Sequence, residues 1–273
     1  MSGSFWVFAA NDGVSGTELW RTDGTLAGTT LLADIYPGAN ASSPLNFTDL
    51  GNGLMVFTAN DGTHGTELWV TDGTAAGTRM LENVDALGDP YGSNPVNFIG
   101  LGDGTAQFTP VISRANDNGK LWITDGKDAG TFALTDIYAG TTGQTPGQFT
   151  ALGNGKVVFT GWDTNQGYEL WVTDGTAAGT VVLEEFGYAN GGGGPADLEA
   201  LGNGRMVFSA WDSVHGRELW VTDGTAAGTR LLEDIAAGTG SSLFQPQFTA
   251  LGNGKALFAA NDGVHGTELW VTN

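Results

Sequence analysis

The chain has 273 residues, a formal net charge of −20 and no cysteine. That charge excludes a general affinity for nucleic acid or anionic membrane surfaces, and the missing thiols exclude disulfides and thiolate metal sites. Hydrophobic residues make up 40% of the chain, with nine Trp and fourteen Phe, which argues for a packed core despite 45 glycines.

The start, MSGSFWVF, has neither a basic segment nor an apolar stretch of signal-peptide type, so no signal peptide is expected, and no apolar run reaches the length of a membrane helix. From Phe5 the chain reads as strand (FWVFAAND), glycine-containing loop, strand (ELWRTD), loop, strand (LLADI). A full unit then begins near residue 46. A short alternating strand closes on Gly-Asn-Gly, a β-branched and aromatic strand follows, then the ELW strand, a GTAAG loop and a fourth strand. Units begin again near 96, 148, 197 and 247, and the last stops at ELWVTN. The marker triplet falls at Glu18, Glu67, Lys120 (as KLW), Glu169, Glu218 and Glu268, at spacings of 49, 53, 49, 49 and 50.

No stretch shows helical periodicity. A period near fifty with four short strands per unit predicts an all-β fold, a β-propeller of four-stranded antiparallel blades. Continuously apolar strands such as Val157–Phe159 fit sheets covered on both faces. Six blades are favoured over five, with both terminal blades incomplete and 22 strands in all, as one domain over residues 1–273. An unpaired blade edge could then recruit another chain.

The twelve residues ELWVTDGTAAGT stand identically at Glu67–Thr78, Glu169–Thr180 and Glu218–Thr229. With the Asp-Ile pairs at Asp34, Asp136 and Asp234, this pattern resembles the bacterial ELWxxDGT repeat family over nearly the whole chain. The resemblance implies a module of an exported or cell-surface protein and no catalytic residues. The third unit departs from the pattern, with Lys120 for Glu and KDAGT for TAAGT.

The ELW tryptophans read as packing between blades, because six exposed indoles would leave too much apolar surface. Trp162 and Trp211 differ. They stand where other units have Asn11, Asn60, Asn116 and Asn261, so they lie beside a loop and are candidate platforms for a sugar ring. Asp before Gly in TDGT reads as a turn former. The carboxylates flanking the next loop are candidate Ca²⁺ ligands through oxygen: Asp12 with Glu18, Asp61 with Glu67, Asp163 with Glu169, Asp212 with Glu218 and Asp262 with Glu268. His64, His215 and His265 share one loop position and read as loop residues, and Gly191 to Gly194 lacks the Lys-Ser/Thr of a phosphate loop.

Nearly every polar group is duplicated, which disfavours a single catalytic centre such as that of a propeller glycosidase or lyase. The sequence points to a non-catalytic module that recognises a carbohydrate or surface polymer multivalently, with calcium as the one candidate cofactor. A structural or self-assembly module is the alternative.

Overall fold

In the computed structural model, which describes residues 5–81, 92–111, 120–136, 146–163, 167–186 and 194–272, the repeat becomes six antiparallel sheets. The first holds β1 (Trp6–Asn11), β2 (Thr17–Thr22) and β3 (Thr30–Ala33). The second holds β4 (Leu45–Asp49), β5 (Met55–Asn60), β6 (Thr66–Thr71) and β7 (Arg79–Met80), and the third β8 (Val96–Gly100), β9 (Ala106–Thr109), β10 (Lys120–Thr124) and β11 (Phe132–Asp136). The fourth comprises β12 (Gly147–Ala151), β13 (Val157–Asp163), β14 (Gly167–Thr173) and β15 (Val181–Glu184). The fifth comprises β16 (Ala196–Ala200), β17 (Met206–Asp212), β18 (Gly216–Thr222) and β19 (Arg230–Glu233), and the sixth β20 (Thr249–Ala250), β21 (Ala256–Asn261) and β22 (Thr267–Val271).

Strands follow one another in space as in sequence. The 22 described strands are distributed as the repeat predicts, with three-stranded sheets first and last. The chain divides into two compact units, residues 1–133 and 134–273, where the repeat alone suggests one domain. Among the described residues no helix is long and apolar enough to cross a membrane.

The ELW–TDGT identity has a local cause. Asp72 Oδ1 accepts from the N–H of Thr74 at 2.8 Å and from its hydroxyl at 2.6 Å. The N–H of Gly77 donates to Thr74 Oγ1 at 3.0 Å, and the Thr78 hydroxyl donates to the Thr74 carbonyl at 2.8 Å. Thr71 Oγ1 closes the turn against Thr78 Oγ1 at 2.7 Å and accepts from Gly73 N–H. Gly73 takes φ +81°, and a Cβ on Gly77 would lie 2.1 Å from the Asp72 carboxylate. Each residue type in T-D-G-T-x-x-G-T is therefore set by this turn. In the third sheet Lys127 N–H replaces threonine as donor to Asp125, and the Thr124–Thr131 hydroxyl pair remains at 2.7 Å.

The first strand of each four-stranded sheet carries a bulge. Asn46, Asn97, Gln148, Asp197 and Gln247 all have positive φ near 50°, and in the second to fifth sheets the register shifts just after this position. Their polar side chains support the kink, as where Asn97 Nδ2 donates to Thr109 Oγ1 at 3.0 Å.

Packing lies between consecutive sheets of a unit. In residues 1–133, Leu19, Leu32 and Ile35 of the first repeat meet Phe57 and Ala59 of the second, and Leu68 and Val70 meet Ala106 and Phe108 of the third. In residues 134–273, Leu170 and Val172 meet Met206, Phe208 and Ala210, and Leu219 meets Ala256, Phe258 and Ala260. In each of these pairs the forward row includes the ELW Leu, and the rear row of the next sheet carries the central Phe of its second repeat strand. The ELW Trp belongs to the rear row: Trp69, Trp122, Trp171 and Trp220 each pack on the central Phe of β5, β9, β13 and β17 at 6.1–6.4 Å between ring centres. Phe208→Ala, which empties a buried position against Trp220 and Phe186, is expected to cost about 3–5 kcal/mol. Urea unfolding checks this as a lower midpoint at unchanged slope.

Candidate functional site

The loop carboxylates and the ELW glutamates, adjacent in sequence, are committed in opposite directions. Asp61 Oδ1 accepts from the N–H groups of Thr63 and His64, each at 2.8 Å, and Oδ2 lies 2.7 Å from His64 Nδ1. Asp212 does the same with Val214 and His215, and Asp262 with Val264 and His265. Asp12, with Ser15 in place of histidine, accepts from Val14 and Ser15. These aspartates organise their own hairpin loops, and His64, His215 and His265 are side-chain partners of those aspartates.

The glutamates turn inward. Glu18 is fully buried. Its Oε2 accepts from Ile35 N–H at 2.8 Å and from the Ser42 hydroxyl at 2.6 Å, while Oε1 accepts from Ser42 N–H at 2.8 Å. Glu218 repeats the clasp with Ile235 and Ser242 at 2.9, 2.6 and 3.0 Å. Glu67 binds both groups of Ser93, and Glu169 accepts from Phe186 N–H at 2.6 Å. The pairs Asp12–Glu18, Asp61–Glu67 and Asp212–Glu218 therefore satisfy separate protein donors instead of converging on one cation position. The Asp163 side chain, the partner of Glu169, lies outside the described residues. Glu268, partner of Asp262, is exposed. Among the described residues no group of three or more His, Asp or Glu side chains is gathered to hold a metal ion. The serine partners were not singled out from the sequence. Their signal is a serine 24 residues after Glu18 and Glu218 and 26 after Glu67, hidden in the variable connections.

Trp162 and Trp211 occupy equivalent positions on β13 and β17, and both are half-buried. Trp162 meets Tyr168 edge-on, with ring centres 5.0 Å apart, and Trp211 stands opposite Arg217. Arg217 donates to Ser209 Oγ at 2.9 Å and to the Gly194 carbonyl at 3.1 Å, and burial lowers its pKa. The exchange of Trp for Asn has a structural reason. Asn11, Asn60 and Asn261 each accept from the N–H two residues on at 2.7 Å, ending the strand there. Tryptophan cannot do this, and β13 and β17 run one residue further, to Asp163 and Asp212.

At the opposite end of the same strands lies an open cleft of about 730 Å³ in residues 134–273. Two Gly-Asn-Gly turns and the TDGT turn of the fifth sheet form it, with Asn154, Lys156, Asn203, Arg205, Asp223 and Thr225 in its lining. Asn154 Oδ1 accepts from Lys156 N–H, and Asn203 Oδ1 from Arg205 N–H, both at 3.2 Å. Lys156 Nζ donates to the Gly224 carbonyl at 3.0 Å. The Thr225 hydroxyl, foremost, and also the Lys156 charge, hold the Asp223 carboxyl below its usual range. The Arg205 guanidinium has no hydrogen-bond or ion-pair partner among the described residues. Lys156, Arg205 and Lys255 follow three successive Gly-Asn-Gly turns, where the second and third repeats have Leu54 and Thr105. In the sequence this recurrence is a basic residue directly after each of the last three Gly-Asn-Gly turns. The cleft and the two tryptophans are about 17 Å apart along β13, five residues at strand rise.

No family model matches the chain, and no curated protein matches it. Among solved structures, the chain is similar to a puromycin hydrolase S511A mutant complexed with PGG, at 18% identity and a TM-score of 0.45, over 94% of this chain and 40% of that one. It is similar to a chain of a nidogen/laminin complex at 12% identity and a TM-score of 0.41, over 94% and 86%. It is similar to TolB from Acinetobacter baumannii at 12% identity and a TM-score of 0.42, over 98% and 65%. The chain thus spans 40% of the hydrolase and 65% of TolB. These likenesses concern overall form and extend to no ligand or activity.

The His–Asp loop pairs give a pH test. The hydrogen bond to Asp212 raises the His215 pKa above its ordinary 6.5, against a smaller lowering by burial. A raised histidine value stabilises the fold below pH 6.5, and that contribution is lost as pH rises through the folded value. For Asp212, burial alone would raise the pKa, but the bonds from His215 and Val214 outweigh it and the net shift is downward. Its contribution is present above its ordinary 3.8 and is lost as pH falls. NMR titration of the His215 ring is expected to give a pKa above 6.5 in the parent and a lower value in Asp212→Asn.

Proposed function

We propose that this chain is a non-catalytic binding module of propeller type, built from six blades, which recognises a carbohydrate or related hydroxyl-bearing surface polymer. The observation that carries the reading is the open cleft between the Gly-Asn-Gly turns of the fourth and fifth sheets, with six polar side chains in its lining. It offers amide, ammonium, guanidinium, hydroxyl and carboxylate groups on rigid turns, the mixture that hydroxyl-rich ligands satisfy. Lys156 and Arg205 favour a ligand that also carries carboxylate or sulfate groups, despite the chain's overall charge. Trp162 and Trp211, half-buried at the other end of neighbouring sheets, supply a second contact for an extended polymer. Repetition then gives avidity without strong single sites.

The resemblance to the ELWxxDGT repeats supports an exported or cell-surface setting. Calcium at the loop aspartates is not needed, since their oxygens already accept hydrogen bonds from the loops. An enzyme of glycosidase or lyase type would need its unique groups in the third repeat, where Arg114 lies outside the described residues.

A glycan array of the labelled protein, read with calcium and with a chelator, tests the proposal. Binding to acidic glycans in both conditions is expected. Lys156→Ala and Arg205→Ala should each weaken it about tenfold, the worth of one charge-assisted hydrogen bond near 1.5 kcal/mol. Absence of glycan binding, or binding unchanged by both substitutions and by Trp162→Ala with Trp211→Ala, overturns it.

A further inference from the structure

The fourth and fifth sheets depart from the others at one end of their central hairpins. The cross-strand pair there is Asn–Thr in the first, second and sixth sheets: Asn11 with Thr17, Asn60 with Thr66 and Asn261 with Thr267. It is Trp162 with Tyr168 in the fourth and Trp211 with Arg217 in the fifth. Two further positions change in the fifth sheet. Where Asn46 bonds Thr58 and Asn97 bonds Thr109, this sheet has Asp197 and Ser209. Ser209 Oγ donates to Asp197 Oδ2 at 2.8 Å and accepts from Arg217 Nη1 at 2.9 Å. Serine in place of threonine removes a methyl beside the hydroxyl that meets the guanidinium, and the carboxylate supplies the opposite charge. Arg217 Nη2 donates to the Gly194 carbonyl at 3.1 Å. Gly194 lies against Tyr168 with no room for a side chain, since a Cβ there would stand 2.6 Å from Tyr168 Cβ and 2.9 Å from its carbonyl oxygen. One set of contacts therefore runs from the Trp162–Tyr168 pair through Gly194 to Arg217, opposite Trp211.

We propose that Asp197, Ser209 and Arg217 form a positioning bracket that makes Trp162 and Trp211 one binding site for an unbranched chain of pyranose rings. Trp162 follows Val158 and Thr160 at alternate positions of β13, and Trp211 follows Val207 and Ser209 on β17, so both indoles leave their sheets on the same side. Neighbouring packed sheets stand about 10 Å apart, and the two indoles repeat at that distance. An extended pyranose chain advances by a similar length in one disaccharide, so alternate rings each meet an indole. Both tryptophans are half-buried, held by their hairpins and open to solvent along part of the ring. Arg217 acts through the residues it holds, Trp211 opposite it and Gly194 against Tyr168. The inference rests on the carbohydrate reading above and adds to it the repeat of the ligand and its shortest length, three rings.

Titration calorimetry with cello-oligosaccharides and with oligogalacturonates of two to six rings tests this. The expected result is a rise in affinity of about tenfold between two and three rings in the better-bound series, the worth of one added aromatic contact. Trp211→Asn and Arg217→Thr place in the fifth sheet the residue types that the second sheet carries as Asn60 and Thr66, so both variants are expected to fold and melt like the parent. Trp211→Asn should abolish the step. Arg217→Thr should lose most of it while its two-ring affinity stays at the parent value, a change that a purely structural role would not produce. A step that survives in Arg217→Thr, or an affinity that climbs evenly with length, overturns the inference and leaves the carbohydrate reading intact. Binding to array glycans without binding to either series also overturns this inference alone, whereas a parent that binds no array glycan overturns both.

Discussion

The buried glutamate of ELW is the interaction on which the other features depend. A carboxylate taken out of water is costly unless several donors meet it. Glu18 and Glu218 each meet three: the N–H after the Asp of the Asp-Ile pair, and the N–H and hydroxyl of a serine further on. Those donors lie on the connection that leaves the fourth strand and leads to the next sheet. The clasp therefore fixes the path from one sheet to the next, and with it which forward leucine meets which rear phenylalanine. It also explains why ELW and Asp-Ile travel together in the sequence, seventeen residues apart.

Much of the fold was legible because its determinants are local. The strand count, the incomplete terminal sheets, the TDGT turn and the packing of the ELW tryptophans all follow from period, alternation and turn chemistry. The clasp was not legible. Its serine sits in the most variable connections, and a carboxylate six residues from another across a hairpin suggests a cation site as readily as two separate hydrogen-bonded groups. Only the backbone decides: the strand alternation sends Glu67 into the sheet interior, while Asp61, beyond the end of β5, stays with its own loop. The Trp–Asn exchange marked a loop-side position correctly, but the reason, the Asn Oδ1 cap that ends the strand, needed the hydrogen bonds to see.

The same division separates scaffold from function. Recurring residues are spent on turns, clasps and stacking, and the carboxylates of Glu18, Glu67, Glu169 and Glu218 accept hydrogen bonds within the protein. Besides the connections, the copies differ at the two ends of the strands: Trp162 and Trp211 at one, Lys156, Arg205 and Lys255 at the other. Near-identity of the repeats thus makes a rigid frame, and recognition is left to the few positions that the frame does not constrain.

The clasp holds the sheets in register only if it is an energetic link as well as a geometric one. A double-mutant cycle between Glu218→Ala and Ser242→Ala, followed by urea unfolding, measures that link directly. Each single substitution leaves buried donors or acceptors unmet and should destabilise by about 2–3 kcal/mol. The double substitution should cost well under the sum, with a coupling of at least about 1 kcal/mol. Simple additivity, or a Glu218→Ala protein as stable as the parent, would contradict the central claim that this carboxylate holds the sheets in register.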